Sequence, residues 1–204
     1  MLNCTKAFKI NTRLASIENM FMNIVQPIRD VKTINQVKEL LKIRHDKYYM
    51  MFVLGLNTGL RISDILPLKV IHLLNQTHIN IVEKKTGKAK RFPINTQLQK
   101  DIADYVLRNQ LTDNQYMIPS RQGENKPITS VQAYRILNST AKSIGLTEIG
   151  CHSMRKTFGY FHYKQHKDLA ILQDIFNHSA PSITMKYIGM NQDMIDNSLK
   201  DFYL

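Results

Sequence analysis

Apolar residues fall at helical spacing soon after the first thirty positions. Ile34, Val37, Leu40 and Leu41 recur at three- and four-residue intervals, and Thr33 with Gln36 forms a capping-box signature, so a helix is expected to begin at Thr33. A second helix is expected from Asp46 through YYMMFVLGL to a stop at Gly59, and a third from near Arg61 to near Pro67. The period then changes. THINIVE and KAKRFPI, residues 77–83 and 88–94, predict two strands around a turn at Lys85-Thr86-Gly87. Helical spacing returns at 95–109, 129–144, 152–166, 168–177, 181–188 and 191–202, and Tyr116 to Pro119 is expected to add an edge strand. These elements predict an α+β fold, mainly α, with a small antiparallel hairpin or sheet inserted near the N-terminal third.

Residues 1–30 are polar and irregular apart from an apolar patch at Met20 to Val25, and are expected to form a short leader before one domain over 31–204. No run of apolar residues is long enough to cross a bilayer. The N-terminus, MLNCTKAFKINTR, lacks the apolar core of a signal peptide, which points to the cytoplasm. Cys4 and Cys151 are too few for a disulfide framework and are expected to be reduced thiols.

Charge changes the picture more than composition does. Lys and Arg number 28 against 16 acids, giving +12 and a pI near 9.7, which favours a polyanionic partner. Between Glu83 and Asp101 stand Lys84, Lys85, Lys88, Lys90, Arg91 and Lys100 with no acid among them. A second basic run holds Lys156, Lys164 and Lys167, near His152, His162, His166 and His178. A membrane surface usually selects a basic amphipathic helix with bulky aromatics opposite, and the pattern contains none that is clear. A nucleic acid is the expected partner, with Lys84, Lys88, Lys90, Arg91 and Lys156 as phosphate contacts.

Four stretches offer chemistry, and each has an ordinary structural alternative. In TGLRISD, Arg61 projects from a corner between helices and suits an anion; alternatively it is a surface arginine paired with Asp64. Lys85, at the hairpin turn, reaches a DNA groove or is merely solvated. In HSMR, His152 and Arg155 share one helix face at i and i+3, either on a phosphate or as a core histidine beside a surface arginine. In NHSAPSITMKY, His178 and Tyr187 stand nine residues apart, as acid–base and nucleophile or as packing. His162 and His166, at i and i+4, have no glutamate between them and no evident third ligand, so no metal is expected. The chain also lacks a phosphate-binding glycine loop and a carboxylate cluster for Mg²⁺, so no cofactor is expected.

Taken in order, TGLRISDIL, the KTG hairpin, HSMRKTFG and NHS followed by Tyr187 resemble the catalytic domain of the tyrosine recombinase (phage integrase) family, over residues 30 to 204. The resemblance implies Arg61 and Arg155 as phosphate-clamping arginines, Lys85 as the hairpin lysine, His152 and His178 as the histidines of the site, Tyr187 as nucleophile and Asp64 as a supporting acid. It implies a site-specific DNA recombinase or integrase of a mobile genetic element, cleaving and rejoining DNA through a 3′-phosphotyrosine intermediate. It also implies double-stranded DNA as the partner and a tetrameric synapse on it in which the C-terminal segment docks on a neighbour.

Asn177 departs from the glycine common before the second histidine, and Lys84 and Lys88 compete with Lys85 for its role. Family members generally carry an N-terminal DNA-gripping domain, so a chain with thirty preceding residues is expected to be a fragment or a short variant, monomeric in free solution. The last helix carries Met190, Met194, Ile195, Leu199, Phe202 and Tyr203, an apolar face that packs on its own domain or on a neighbour. Two other functions fit: relaxation of supercoils in the manner of a type IB topoisomerase, and regulation by a catalytically idle DNA-binding relative. Loss of one of the six groups would mark the idle relative, and none is missing.

Overall fold

Asp30, not Thr33, opens the first helix. In the computed structural model, which describes residues 25–203, its carboxylate accepts hydrogen bonds from the Thr33 amide at 2.8 Å and the Thr33 hydroxyl at 2.9 Å. Helix α1 therefore spans Val31–Arg44. Thr33 was the expected cap, but an aspartate one turn upstream satisfies the same orphan amide and leaves Thr33 as its donor. Helix α2, Asp46–Thr58, ends where Gly59 turns left-handed at φ 63°.

A single turn, α3 (Ile62–Ile65), and a 3₁₀ turn at Val70–His72 lead into the hairpin. Strands β1 (His78–Val82) and β2 (Ala89–Pro93) pair antiparallel with Asn80 opposite Arg91. The remaining helices are α4 (Thr96–Arg108), α5 (Ser130–Lys142), α6 (Cys151–His166), α7 (Leu169–Phe176), α8 (Pro181–Tyr187) and α9 (Met190–Leu199).

Helix α2 is apolar around most of its circumference, and the structure buries it accordingly. Met50, Met51, Phe52, Val53 and Leu54 are all inaccessible to solvent, with α1, α4 and α6 packed around them. Leu172, Phe176 and Ile188 make a second, smaller cluster beneath α7 and α8. This small cluster carries the far side of the site.

Tyr116 to Pro119 does not extend the hairpin. The Met117 amide donates to the Leu68 carbonyl at 2.9 Å, and the Ile118 carbonyl accepts from the Ile128 amide at 3.0 Å. Tyr116 bridges Lys69, Pro119 bridges Pro127, and among the described residues the sheet has two strands. The expected edge strand finds its backbone partners in two flanking loops instead.

Residues 25–30, the end of the expected leader, form an extended strap on the domain. The Gln26 amide donates to the Glu148 carbonyl at 2.9 Å, and the buried Ile28 donates its amide to the Thr157 hydroxyl at 2.8 Å. Arg29 pairs with Asp193 of α9 at 2.7 Å. The rest of that leader, with Cys4 and residues 20–24 of the apolar patch, lies outside the described residues; Cys151 is a free thiol that burial pushes up to about 11.

No residue of α9 is buried, and Met194, Ile195 and Leu199 are each more than half exposed. Met190, at its start, packs against the Leu172, Phe176 and Ile188 cluster, and the rest of its apolar face is uncovered among the described residues. No helix among the described residues is long and apolar enough to cross a membrane.

Candidate active site

Two arginines from distant parts of the chain meet on one carbonyl. Arg61, just after the Gly59 corner, donates from Nη2 to the Phe176 carbonyl at 3.3 Å, and Arg155 of α6 donates to the same oxygen at 3.2 Å. The other terminal nitrogen of Arg155 bonds the Gly59 carbonyl. Phe176 closes α7, so both guanidiniums sit at the negative end of a helix dipole, which offsets part of their mutual repulsion. Arg155 is 2% exposed, and burial lowers its pKa to about 10, with Tyr187 and Glu83 pulling it up and Arg61 pushing it down. It remains charged at neutral pH.

His178 and Tyr187 complete the cluster from α7's end and α8. Asn177 takes the left-handed conformation, φ 54° and ψ 48°, and terminates α7 as a glycine would. The His178 Nδ1 lies 3.0 Å from the Thr184 hydroxyl, leaving Nε2 for a ligand, and its ring stands 5.0 Å from that of Tyr187. The Tyr187 ring packs edge-on to Phe176 at 5.3 Å, with the Lys156 ammonium 5.3 Å from its centre. Burial raises the Tyr187 pKa, while Arg155 and Arg61 pull it back only in part. At rest it is a neutral phenol that needs a proton acceptor.

The histidines are disposed to accept. Burial lowers the pKa of His152, aided by Arg155, Lys156, Arg61 and Lys85; burial lowers that of His178 too, aided by Arg155, Arg61 and Lys85. Both are neutral imidazoles at pH 7. Lys85 is exposed on the hairpin turn, yet its ammonium is near enough to depress both. Asp64 is buried; its Oδ1 accepts from the Lys84 amide at 3.0 Å while its Oδ2 has no hydrogen-bond partner among the described residues.

Stability should follow these histidines. Protons bind them more weakly in the folded chain than in the unfolded one, so the unfolded state takes up more protons below its ordinary value of 6.5. Their contribution is full above pH 6.5 and is lost as the pH falls through that value toward the lower folded-state values. The thermal midpoint is expected to drop between pH 7.5 and 5.5, and to drop less in a His178→Gln variant.

Not every expected phosphate contact is free. Lys88 donates to the Asn177 side chain at 2.7 Å, Lys90 donates to the Asp174 and Ile175 carbonyls at the end of α7, and Lys156 lies against Tyr187. Arg91 reaches His78 at 3.1 Å, and Lys84 is exposed. Lys88 and Lys90 tie the hairpin to the end of α7 in the free protein. The His162 and His166 rings stand 4.7 Å apart, and among the described residues no group of three potential metal ligands forms.

Two residues of the cluster escaped the sequence reading. Arg61 pairs at 2.7 Å with Glu83, whereas Asp64, its expected partner, is 4.0 Å away. The signal was available: Glu83 shares a strand face with the inward Ile79 and Ile81, an acid at a position of core register. Thr184, fully buried beside His178, had no such mark.

Gly159 sets how closely these parts approach. A Cβ there would lie 2.7 Å from both the Phe176 ring and the Ile188 side chain, which flank the shared carbonyl and Tyr187. Gly159→Ala should cost about 1–3 kcal/mol in a urea titration and push α7 and the end of α8 away from α6. Any DNA reaction by this cluster should then slow even at temperatures where the variant is fully folded.

A model described as the phage integrase family matches residues 30–194. The chain is similar to the probable integrase/recombinase YoeC of Bacillus subtilis, 45% identical over 181 residues that cover 89% of this chain and 98% of that protein. It is 27% identical over 160 residues to the tyrosine recombinase XerA of Pyrococcus furiosus, spanning 54% of that relative's length and 78% of its own. The fold matches a crystal structure of XerA recombinase with a TM-score of 0.67 at 19% identity, over 87% of this chain and 67% of that one. It also matches the XerH recombinase bound to its difH substrate, with a TM-score of 0.62 at 15% identity, over 80% of this chain and 50% of that one.

Proposed function

Since the chain belongs to the phage integrase family, we propose that it is a site-specific DNA strand-transferase of a mobile genetic element, acting in the cytoplasm through a 3′-phosphotyrosine intermediate. One observation carries this reading: Arg61 and Arg155 share the Phe176 carbonyl while their charges act on the Tyr187 phenol. A scissile phosphate would take the carbonyl's place as acceptor for both guanidiniums.

The Tyr187 Oη attacks phosphorus, forming the O–P bond as the P–O5′ bond breaks. Negative charge grows on the non-bridging oxygens, and each preplaced donor stabilises it by very roughly 3 kcal/mol. His152 accepts the phenolic proton, His178 adds a hydrogen bond through Nε2, and Lys85 protonates the departing 5′-oxygen. The products are a 3′-phosphotyrosine and a free 5′-hydroxyl. Attack by another 5′-hydroxyl on the phosphotyrosine reverses the step and rejoins the strands without nucleotide hydrolysis.

DNA affinity on this reading is largely electrostatic and falls steeply with salt. The apolar side chains Met194, Ile195 and Leu199 of α9, uncovered among the described residues, support docking of the C-terminal segment on a neighbouring protomer in a tetrameric synapse on DNA, with the free protein monomeric. The domain proper runs from residue 31 to the C-terminal segment.

The test is direct. A library of nicked duplexes with randomised sequence, in which cleavage releases a short strand and blocks resealing, is incubated with the protein. A denaturation-resistant adduct joined at the 3′ phosphate is expected, and sequencing of the trapped strands reads the site. Binding without any adduct across the library would favour the idle regulator, and relaxation of supercoils by monomer without strand exchange would favour the topoisomerase.

A further inference from the structure

Glu83 is buried completely at the point where β1 passes into the hairpin turn. Such a position normally excludes a carboxylate unless every oxygen is matched. Here each is. Oε1 accepts from Arg61 at 2.7 Å, and Oε2 accepts from the Thr86 hydroxyl at 2.7 Å. The backbone of the same residue holds the turn as well: its amide donates to the Lys88 carbonyl at 2.9 Å, and its carbonyl accepts from Gly87 at 2.8 Å and Thr86 at 3.3 Å. Asp64 adds a second tie, accepting from the Lys84 amide. The Lys85 turn is thus wrapped around a carboxylate whose other oxygen grips the first arginine.

We infer that Glu83 is a positioning residue, locking the Lys85 turn to the Arg61 guanidinium so that proton donor and phosphate clamp arrive at the DNA as one unit. The inference rests on the reaction proposed above and goes beyond it by assigning a role to a side chain that touches neither strand. Arg61 meets Glu83 through Nη1 and the Phe176 carbonyl through Nη2, so the edge toward the phosphate site stays available while the carboxylate is in place. Glu83 is ionised: burial pushes its carboxyl up, but Thr86, Arg61 and Lys90 outweigh this and hold it below the ordinary range.

A leaving-group substitution separates this role from simple stability. The duplex recovered from the nicked library is made with its bridging 5′-oxygen or with sulfur, and a thiolate departs without needing a proton. Single-turnover cleavage is measured for wild type, Glu83→Gln, Thr86→Val and Lys85→Ala. On the oxygen substrate Glu83→Gln should fall about 10- to 100-fold, part of what general acid catalysis contributes. On the sulfur substrate it should recover to within a few-fold of wild type, as should Lys85→Ala. Thr86→Val, which removes one hydroxyl from a partly exposed turn, should show the same rescue at smaller size and guards against misfolding of the buried variant.

Equal losses of Glu83→Gln on both substrates would reduce Glu83 to a structural residue and overturn the inference. Faster cleavage by Glu83→Gln would also overturn it, making the carboxylate a competitor of the phosphate. A Lys85→Ala protein that stays slow on sulfur removes the donor role of Lys85 and this inference with it, while the wild-type adduct still supports the reaction. Absence of a wild-type adduct on either substrate defeats the reaction itself.

Discussion

Tyr187→Phe is expected to form no covalent adduct on any nicked substrate while binding DNA almost as tightly as wild type. On the proposed reaction the phenol is the one group of the cluster whose loss removes the attacking atom itself. Its ring is a packing element as well, edge-on to Phe176 at 5.3 Å and beside His178 at 5.0 Å, and phenylalanine keeps those contacts. Folding should therefore be preserved, and the absent oxygen alone accounts for the loss. Electrophoresis after denaturation reads the adduct, and a fluorescence titration at two salt concentrations reads binding. Adduct formation at the wild-type level by Tyr187→Phe would sink the assignment, because another side chain would then be the nucleophile.

Arg155→Lys should slow single-turnover cleavage by about 10² to 10³, the cost of losing one well-placed donor to a developing oxyanion. Lysine keeps the charge but replaces the planar fork by a single nitrogen, whereas Arg155 uses one terminal nitrogen on Gly59 and the other on Phe176. At 2% exposure the alanine variant would leave the Gly59 carbonyl without its Arg155 donor and the Phe176 carbonyl with Arg61 alone, so lysine is the cleaner test. DNA affinity should change much less than the rate, since ground-state binding is spread over many phosphate contacts. A parallel fall in affinity and rate would show that Arg155 serves binding uniformly and gives no preference to the transition state.

The two guanidiniums, the histidines and the phenol are local facts of the sequence only as candidates. Taken singly, His178 with Tyr187 is better explained by packing, and Arg61 by a surface pair with Asp64. Their order along the chain carried the resemblance, and the family model and YoeC bear out the family. The hairpin was legible because alternation and a Lys-Thr-Gly turn are short-range signals. Helix α2 was legible because a continuous apolar run announces burial. Asp30 was overlooked in favour of Thr33 since both are good caps and only the coordinates say which side chain accepts. Tyr116 to Pro119 was misread because strand character does not specify a partner.

The sequence by itself determined the family, the mainly helical character with one small hairpin, the basic charge and the set of side chains able to do chemistry. These depend on residue type and short-range spacing, which covalent order preserves. Only the tertiary structure decided that Arg61 turns to Glu83 rather than Asp64, that Lys88 and Lys90 bind the end of α7, and that Met194, Ile195 and Leu199 of α9 stay exposed among the described residues. Those outcomes are contests among several chemically equivalent partners, settled by which groups the packing of distant segments brings within hydrogen-bonding distance.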